Sequence, residues 1–458
     1  FFLMIRRPPR STRCPYTTRG RAAALAALLA AEVLMLLGFG FPSASVEAPE
    51  TLVLVHLVAL GWLSLLLCGA LFQFVPVLVA KPLHDNRLPF ATLCCLLAGL
   101  ALLLCGFLQL NGSSGSDWPL LPAGGSLLAV GFALVLYNLG RTLWAGRPLP
   151  LPARFVVAGL CSVAAAASLG VIFTYVLAGF ATAAPLTALT ASGLPLHIAA
   201  GIGGWLTFTA MGVSYRLLAM FMLSPEEKRG TSLAAFWGGV GVLVLAVGGG
   251  GAAILMNGDP APILAAAAVL MVPVLAVYGW DVAWLYNRRK RRRLETNSLM
   301  AAPALASLAM GAALLLALLA LGQLPRFAGA VIYLLAFGWL SGLGLSQLYK
   351  IVAFVTWLEC YGPVLGRMPT PRVQDLVVES RARTWFYLYF GTVWLGTIAL
   401  LFDQELAFRW LALVLLLATG GLIVEFVRTR RLADIDLALR GENAPRRPRL
   451  LYALVAQH

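Results

Sequence analysis

The sequence predicts an all-α membrane protein of twelve transmembrane helices in three pseudo-repeats of four. Three observations carry that prediction. Sixty per cent of the 458 residues are apolar and only 12% are charged, with a mean hydropathy of +0.86, values that exclude a soluble globular chain. Apolar runs long enough to cross a bilayer, about 20 residues each, follow one another along most of the chain. A short motif also recurs three times: Gly61-Trp62-Leu63-Ser64, Gly204-Trp205-Leu206-Thr207 and Gly338-Trp339-Leu340-Ser341. Around it, Gly212 has Gly69 and Ser346 as counterparts, Tyr215 has Phe72 and Tyr349, and Arg216 has Gln73 and Lys350. With 12 tryptophans in the whole chain, this register points to three related units of about 140 residues. The alternative is convergent helix-packing chemistry, because small residues are common where membrane helices touch.

In order, the predicted spans are 22–41, 51–80, 88–110, 120–144, 153–180, 194–223, 231–256, 261–287, 300–321, 327–360, 383–402 and 408–428. The repeats then cover about 22–144, 153–287 and 300–428. Residues 1–18, FFLMIRRPPRSTRCPYTT, resemble translated sequencing-adapter read-through and read as a non-native leader; a natural basic leader is the alternative. Six of the arginines behind the net charge of +15 fall in the first 21 residues. The seven cysteines form no CxxC pair and read as buried thiols.

The connections supply a test independent of the spans. Those after even-numbered spans carry Lys81 and Arg87; Arg141, Arg147 and Arg154; Lys228 and Arg229; the run Arg288 to Arg293; and Arg367, Arg372, Arg381 and Arg383. Those after odd-numbered spans carry only Arg326 and Arg409. Basic residues stay in the cytoplasm, so both termini are placed there in a multi-pass protein. The run 288–293 reads as an anchor against anionic headgroups, and nucleic acid is not an expected partner. Residues 432–458 form a basic cytoplasmic tail in which 432–439 could lie on the membrane as a short helix.

Candidate functional residues are few. Of the histidines His56, His84, His197 and His458, only His56 and His197 fall inside spans, one to two turns from the outer ends of the second and sixth. They precede their GW motifs by five and seven residues. Ionisable groups at that depth are candidates for function, the alternative being an imidazole hydrogen-bonded to a neighbouring helix. On the sixth span, the His197 face also carries Gly201, Gly204, Phe208, Met211 and Tyr215. The two glycines leave that face bare beside the imidazole, open to something flat or bulky or to another helix. Arg216, Asp281 and Lys350 near inner ends read as snorkelling or ion-paired groups.

Three four-helix units with histidines near the outer ends of the second and sixth spans resemble subunit I of the heme-copper oxidases and relatives such as the NnrS family. The motifs that carry the resemblance are His56-Leu57-Val58-Ala59-Leu60-Gly61 with Gln73 and Pro76, then Gly212-Val213-Ser214-Tyr215-Arg216, then Lys350-Ile351-Val352-Ala353-Phe354 with Trp357 and Tyr361. The resemblance implies a bacterial inner-membrane, respiratory setting and a redox or oxidase partner. It places His56 where the oxidases have an axial ligand of low-spin heme and His197 where they have a copper ligand. The further histidines that the oxidases carry on the seventh and tenth spans are missing, and Tyr333 and Val331 stand at the third-repeat counterparts of His56 and His197. A heme-heme-copper centre is therefore not expected. A single heme b held by His56, His197 or both is expected instead, since imidazole is a common axial ligand. Gly201 and Gly204 would flank it. Copper is possible but under-ligated. One iron joins both histidines only if the two helices lie within about 13 Å of each other. The function so expected is an oxidase-like membrane hemoprotein for electron or small-gas chemistry; a transporter or channel, and a non-catalytic accessory protein on the same scaffold, are the alternatives.

Overall fold

The computed structural model describes residues 16–435 except 111, 113–117, 226–229 and 368. Among them every regular element is helical and none is a strand. Eleven helices are long and apolar enough to cross a membrane: α2 (Pro49–Leu78), α3 (Leu88–Leu110), α4 (Leu120–Ala145), α5 (Leu151–Leu177), α6 (Leu194–Met222), α7 (Gly230–Leu255), α8 (Ala261–Asn287), α9 (Thr296–Ala320), α10 (Leu324–Cys360), α11 (Glu379–Leu401) and α12 (Glu405–Arg430). They are preceded by α1 (Tyr16–Leu36), whose 21 residues include Arg19, Arg21 and Glu32. The chain is a multi-pass membrane protein whose apolar helix surfaces call for a lipid bilayer. Consecutive helices pack side by side, and α1 lies against α12, so the first and last helices are neighbours.

Some boundaries differ from the hydropathy reading for local reasons. The first helix stops at Leu36 instead of running to 41, because Gly38 (φ 74°) and Gly40 (φ 79°) take left-handed backbone that turns the chain. Arg381 and Arg383 belong to the first turn of α11 and not to the connection before it. Their guanidiniums pair with Glu425 and Asp434, and with Glu379, respectively. The tail helix expected at 432–439 is absent over 432–435. There the chain turns at Leu432 (φ 53°) and buries Leu432 and Ile435 against Cys360, Tyr361 and Leu376. Residues 436–458 and the leader up to residue 15 lie outside the described residues. Of the six described cysteines, Cys68 and Cys360 are buried, Cys95 is half-buried, and Cys94, Cys105 and Cys161 are exposed on outward helix faces.

Each Gly-Trp motif sits in a π-helical stretch, Leu57–Ser64 in α2, Ala199–Phe208 in α6 and Leu334–Ser341 in α10. π-helical turns are uncommon and mark places where a helix is re-aimed. The glycine of each motif faces a small residue on a neighbouring helix. A methyl at Gly61 would meet Ala27 of α1 at 2.9 Å, one at Gly338 would meet Ser307 of α9 at 2.7 Å, and one at Gly204 would collide with Ser162 of α5. Each tryptophan turns inward and hydrogen-bonds the last residue of another motif. Trp62 Nε1 donates to Ser341 Oγ (2.8 Å), Trp205 Nε1 to Ser64 Oγ (2.9 Å) and Trp339 Nε1 to Thr207 Oγ1 (3.3 Å). The three bonds form a closed cycle in which α2, α6 and α10 each donate once and accept once. Trp62 and Trp339 are fully buried, and all three tryptophans belong to the main core.

Candidate functional site

The basic run 288–293 follows α8; the imidazoles lie at the opposite end of the bundle, near the N-termini of α2 and α6. A proline in the first turn opens each of these helices, Pro49 and Pro195, where the missing N–H has no intrahelical acceptor in any case. His56 follows Pro49 by two turns, and the backbone N–H of His197 bonds Gly193 O at 3.1 Å in the first turn of α6. The π-helical stretches that begin just after the histidines hold α2 and α6 in contact.

The two imidazole rings are neighbours, with centroids 6.3 Å apart and planes inclined by 33°. An outer aromatic ring lies beside each: Phe107 of α3 is 5.0 Å from His56, and Phe173 of α5 is 5.6 Å from His197. His56 Nδ1 lies 2.7 Å from Leu52 O. A carbonyl accepts only, so Nδ1 carries the proton and Nε2 presents its lone pair. His197 Nδ1 is buried toward the Ala166 carbonyl but makes no hydrogen bond of normal geometry. Neither Nε2 is hydrogen-bonded to any described residue. Both residues are half-buried.

The two glycines expected beside the imidazoles have different surroundings. A methyl at Gly201 would meet nothing within 4 Å, whereas Gly204 is closed by Ser162 and serves helix packing. Gly170 of α5 is an addition, because a methyl there would press on His197 Cε1 at 3.3 Å. At Tyr333, the third-repeat counterpart of His56, the space is filled: its ring packs on Phe337 (5.0 Å) and Phe408 (5.2 Å).

The separation of the imidazoles can be tested against a shared metal. Bonds of about 2.0–2.1 Å from one ion to imidazole nitrogens on opposite sides put the ring centroids about 6.4 Å apart. The observed centroid separation of 6.3 Å equals that spacing, which a shared metal would use only with a nitrogen of each ring aimed between them. The Leu52 carbonyl on His56 Nδ1 is the kind of partner that orients a ligating imidazole. Among the described residues no group of three His, Cys, Asp or Glu side chains could hold a metal. A porphyrin supplies its own four equatorial nitrogens; bare copper would need further ligands. No protein-family model matches the chain, and no curated protein is significantly similar to it.

The remaining motif residues are engaged structurally at the basic end. Tyr215 Oη donates to Asp281 Oδ2 (3.0 Å), Thr231 Oγ1 to Asp281 Oδ1 (2.5 Å), and Lys350 pairs with Glu295 at 2.6 Å. Arg21 donates to Gln73 Oε1 at 2.8 Å, and Trp357 Nε1 to Pro371 O at 2.6 Å. Arg326 pairs with Asp403, and Arg409 Nε donates to Leu36 O (3.1 Å), capping α1; these contacts employ both basic residues of the opposite end. Sequence reasoning passed over Glu32, a fully buried carboxyl on α1 that accepts from Thr419 Oγ1 at 2.7 Å while its Oε2 has no partner. The signal was present as the one acidic residue within the first apolar run.

Proposed function

We propose that this chain is an oxidase-like integral membrane hemoprotein of the bacterial inner membrane, binding a single heme b near the outer face through His56 and His197. The observation that carries the reading is the pair of imidazoles 6.3 Å apart, centroid to centroid, with neither Nε2 engaged. On this reading α1 is also a span, giving twelve spans in three units of four with both termini cytoplasmic. The closed Trp-to-Ser/Thr cycle and the matching glycine contacts of Ala27, Ser162 and Ser307 support three related units. On this reading the chain belongs with the heme-copper oxidase subunit I and NnrS families that its sequence motifs resemble.

The residues have separable roles. Leu52 holds His56 in the tautomer that presents Nε2, Gly170 leaves room for the His197 ring, and Gly201 opens one side of the space beside it. Phe107 and Phe173 back the two imidazoles. His56 and His197 would hold the heme, and a bound heme would supply one-electron redox chemistry. Tyr333, packed between Phe337 and Phe408, leaves the third unit without an equivalent site and argues for one heme per chain.

The test is the absorption spectrum of protein purified from a heme-replete host. A Soret band with equimolar heme b by pyridine hemochrome is expected, and His56→Ala or His197→Ala should each reduce heme content at least about tenfold, restored in part by added imidazole. A colourless, iron-free wild-type preparation would overturn the reading.

A further inference from the structure

At the basic end, α9, the run 288–293 and the start of α11 border an open surface cleft of ≈ 820 Å³. Its walls include Arg289, Arg291, Arg292, Arg293 and Arg383. We propose that this cleft is a binding site for a phosphate-bearing anion, either the headgroup of an anionic phospholipid or a soluble phosphorylated compound.

Charge pairing within the cleft separates the arginines into two groups. Arg291 pairs with Glu295, which also holds Lys350 at 2.6 Å, and Arg383 Nη2 pairs with Glu379 at 2.6 Å. The two carboxylates that line the cleft are thereby spent on cations. Arg289, Arg292 and Arg293 have no acidic partner among the described residues; Arg289 only donates Nη1 to Tyr286 O at 2.5 Å. Three guanidiniums around one concavity match the multiple oxygens and the negative charge of a phosphate group, through forked charge-assisted hydrogen bonds.

A second cavity deepens the site. It adjoins the cleft through shared walls at Glu295, Gln374 and Glu379 and has a volume of ≈ 10 Å³, the space of about one water molecule. Asn297, 1% exposed, lines it with both amide atoms free of hydrogen bonds, as does the unpartnered Tyr349 hydroxyl. The N-terminus of the 25-residue α9 opens at the same place, with Glu295 as an N-cap that makes no side-chain cap. Its first backbone N–H groups add partial positive charge. Buried donors and acceptors of this kind are normally satisfied, so polar capacity behind an arginine-lined mouth distinguishes this cleft from a merely basic surface. The inference stands apart from the imidazole site and survives or fails without it.

The test compares Arg292→Gln/Arg293→Gln with a control that removes two exposed basic residues elsewhere at the same end, Lys81→Gln/Arg141→Gln. Inorganic phosphate is titrated calorimetrically into the full chain in neutral detergent. In parallel, nanodiscs of mixed phosphatidylglycerol and phosphatidylcholine are solubilised and the retained lipid is measured by mass spectrometry. A loss of about tenfold or more in the cleft variant, with the control near wild type, is expected in at least one arm. Loss in the phosphate arm assigns a soluble ligand, and loss in the lipid arm alone assigns a headgroup. Equal losses in both variants, or no binding by wild type in either arm, would overturn the proposal. Should the cleft variant not fold, phenylglyoxal labelling of wild type decides: protection of Arg292 and Arg293 by phosphate or phosphatidylglycerol supports the site, and unprotected labelling refutes it.

Discussion

The tryptophan cycle makes a quantitative prediction about what holds the three motifs together. Trp62 is 0% exposed and its Nε1 donates to Ser341 Oγ at 2.8 Å, while the Ser341 hydroxyl donates onward to Ala336 O at 2.7 Å. Trp62→Phe removes the indole N–H and also leaves a gap, so the single variant mixes a lost bond with lost packing. The double-mutant cycle with Ser341→Ala cancels the packing part. Hydrogen bonds between membrane helices couple by about 0.6 kcal/mol on average and up to about 1.7 kcal/mol. The Trp62–Ser341 cycle should fall in the upper part of that range, because both groups are fully buried and the hydroxyl bridges two partners. The Trp339–Thr207 cycle should give less, since its bond is longer at 3.3 Å. The assay is reversible unfolding in mixed micelles with rising dodecyl sulfate fraction, followed by far-ultraviolet circular dichroism. Strict additivity of Trp62→Phe and Ser341→Ala, with both variants folded, would refute the claim that the cycle binds α2 to α10.

Two further expectations follow from the structure. Gly204→Ala drives a methyl into Ser162 and should cost about 1–3 kcal/mol of stability, as overpacking does. Gly201→Ala meets nothing and should be neutral or stabilise by up to about 1 kcal/mol, so the same unfolding titration should rank the two substitutions in opposite directions. At the end of α12, burial alone would raise the Asp434 carboxyl, but Arg428 (2.5 Å) and Arg381 (2.8 Å) hold it below the ordinary aspartate range. A depressed acid contributes stability above its unfolded value, about 3.9, and loses it as pH falls through the folded value. Protection of the segment after Arg430 from proteolysis should therefore be flat from pH 7 to about 5 and fall below about 4, and Asp434→Asn should lose it at neutral pH; a transition near pH 6–7 would contradict this assignment.

The sequence by itself located the eleven long apolar helices to within a few residues, because length and apolarity suffice to specify a span. It also picked out His56 and His197, since a basic ring is conspicuous in an apolar run, and it registered the three Gly-Trp motifs. Tertiary structure decided which face of each helix looks inward. Lipid and protein core are equally apolar, so periodicity does not separate them; Cys94, Cys105 and Cys161 read as core thiols and turn out to face outward. The fates of Gly201 and Gly204 were likewise indistinguishable in sequence, one opening on space and the other closed by Ser162. The approach of the two imidazoles depends on α2 and α6 being drawn together by contacts more than a hundred residues apart in sequence, among them Trp205 with Ser64, and no local pattern encodes such a pairing.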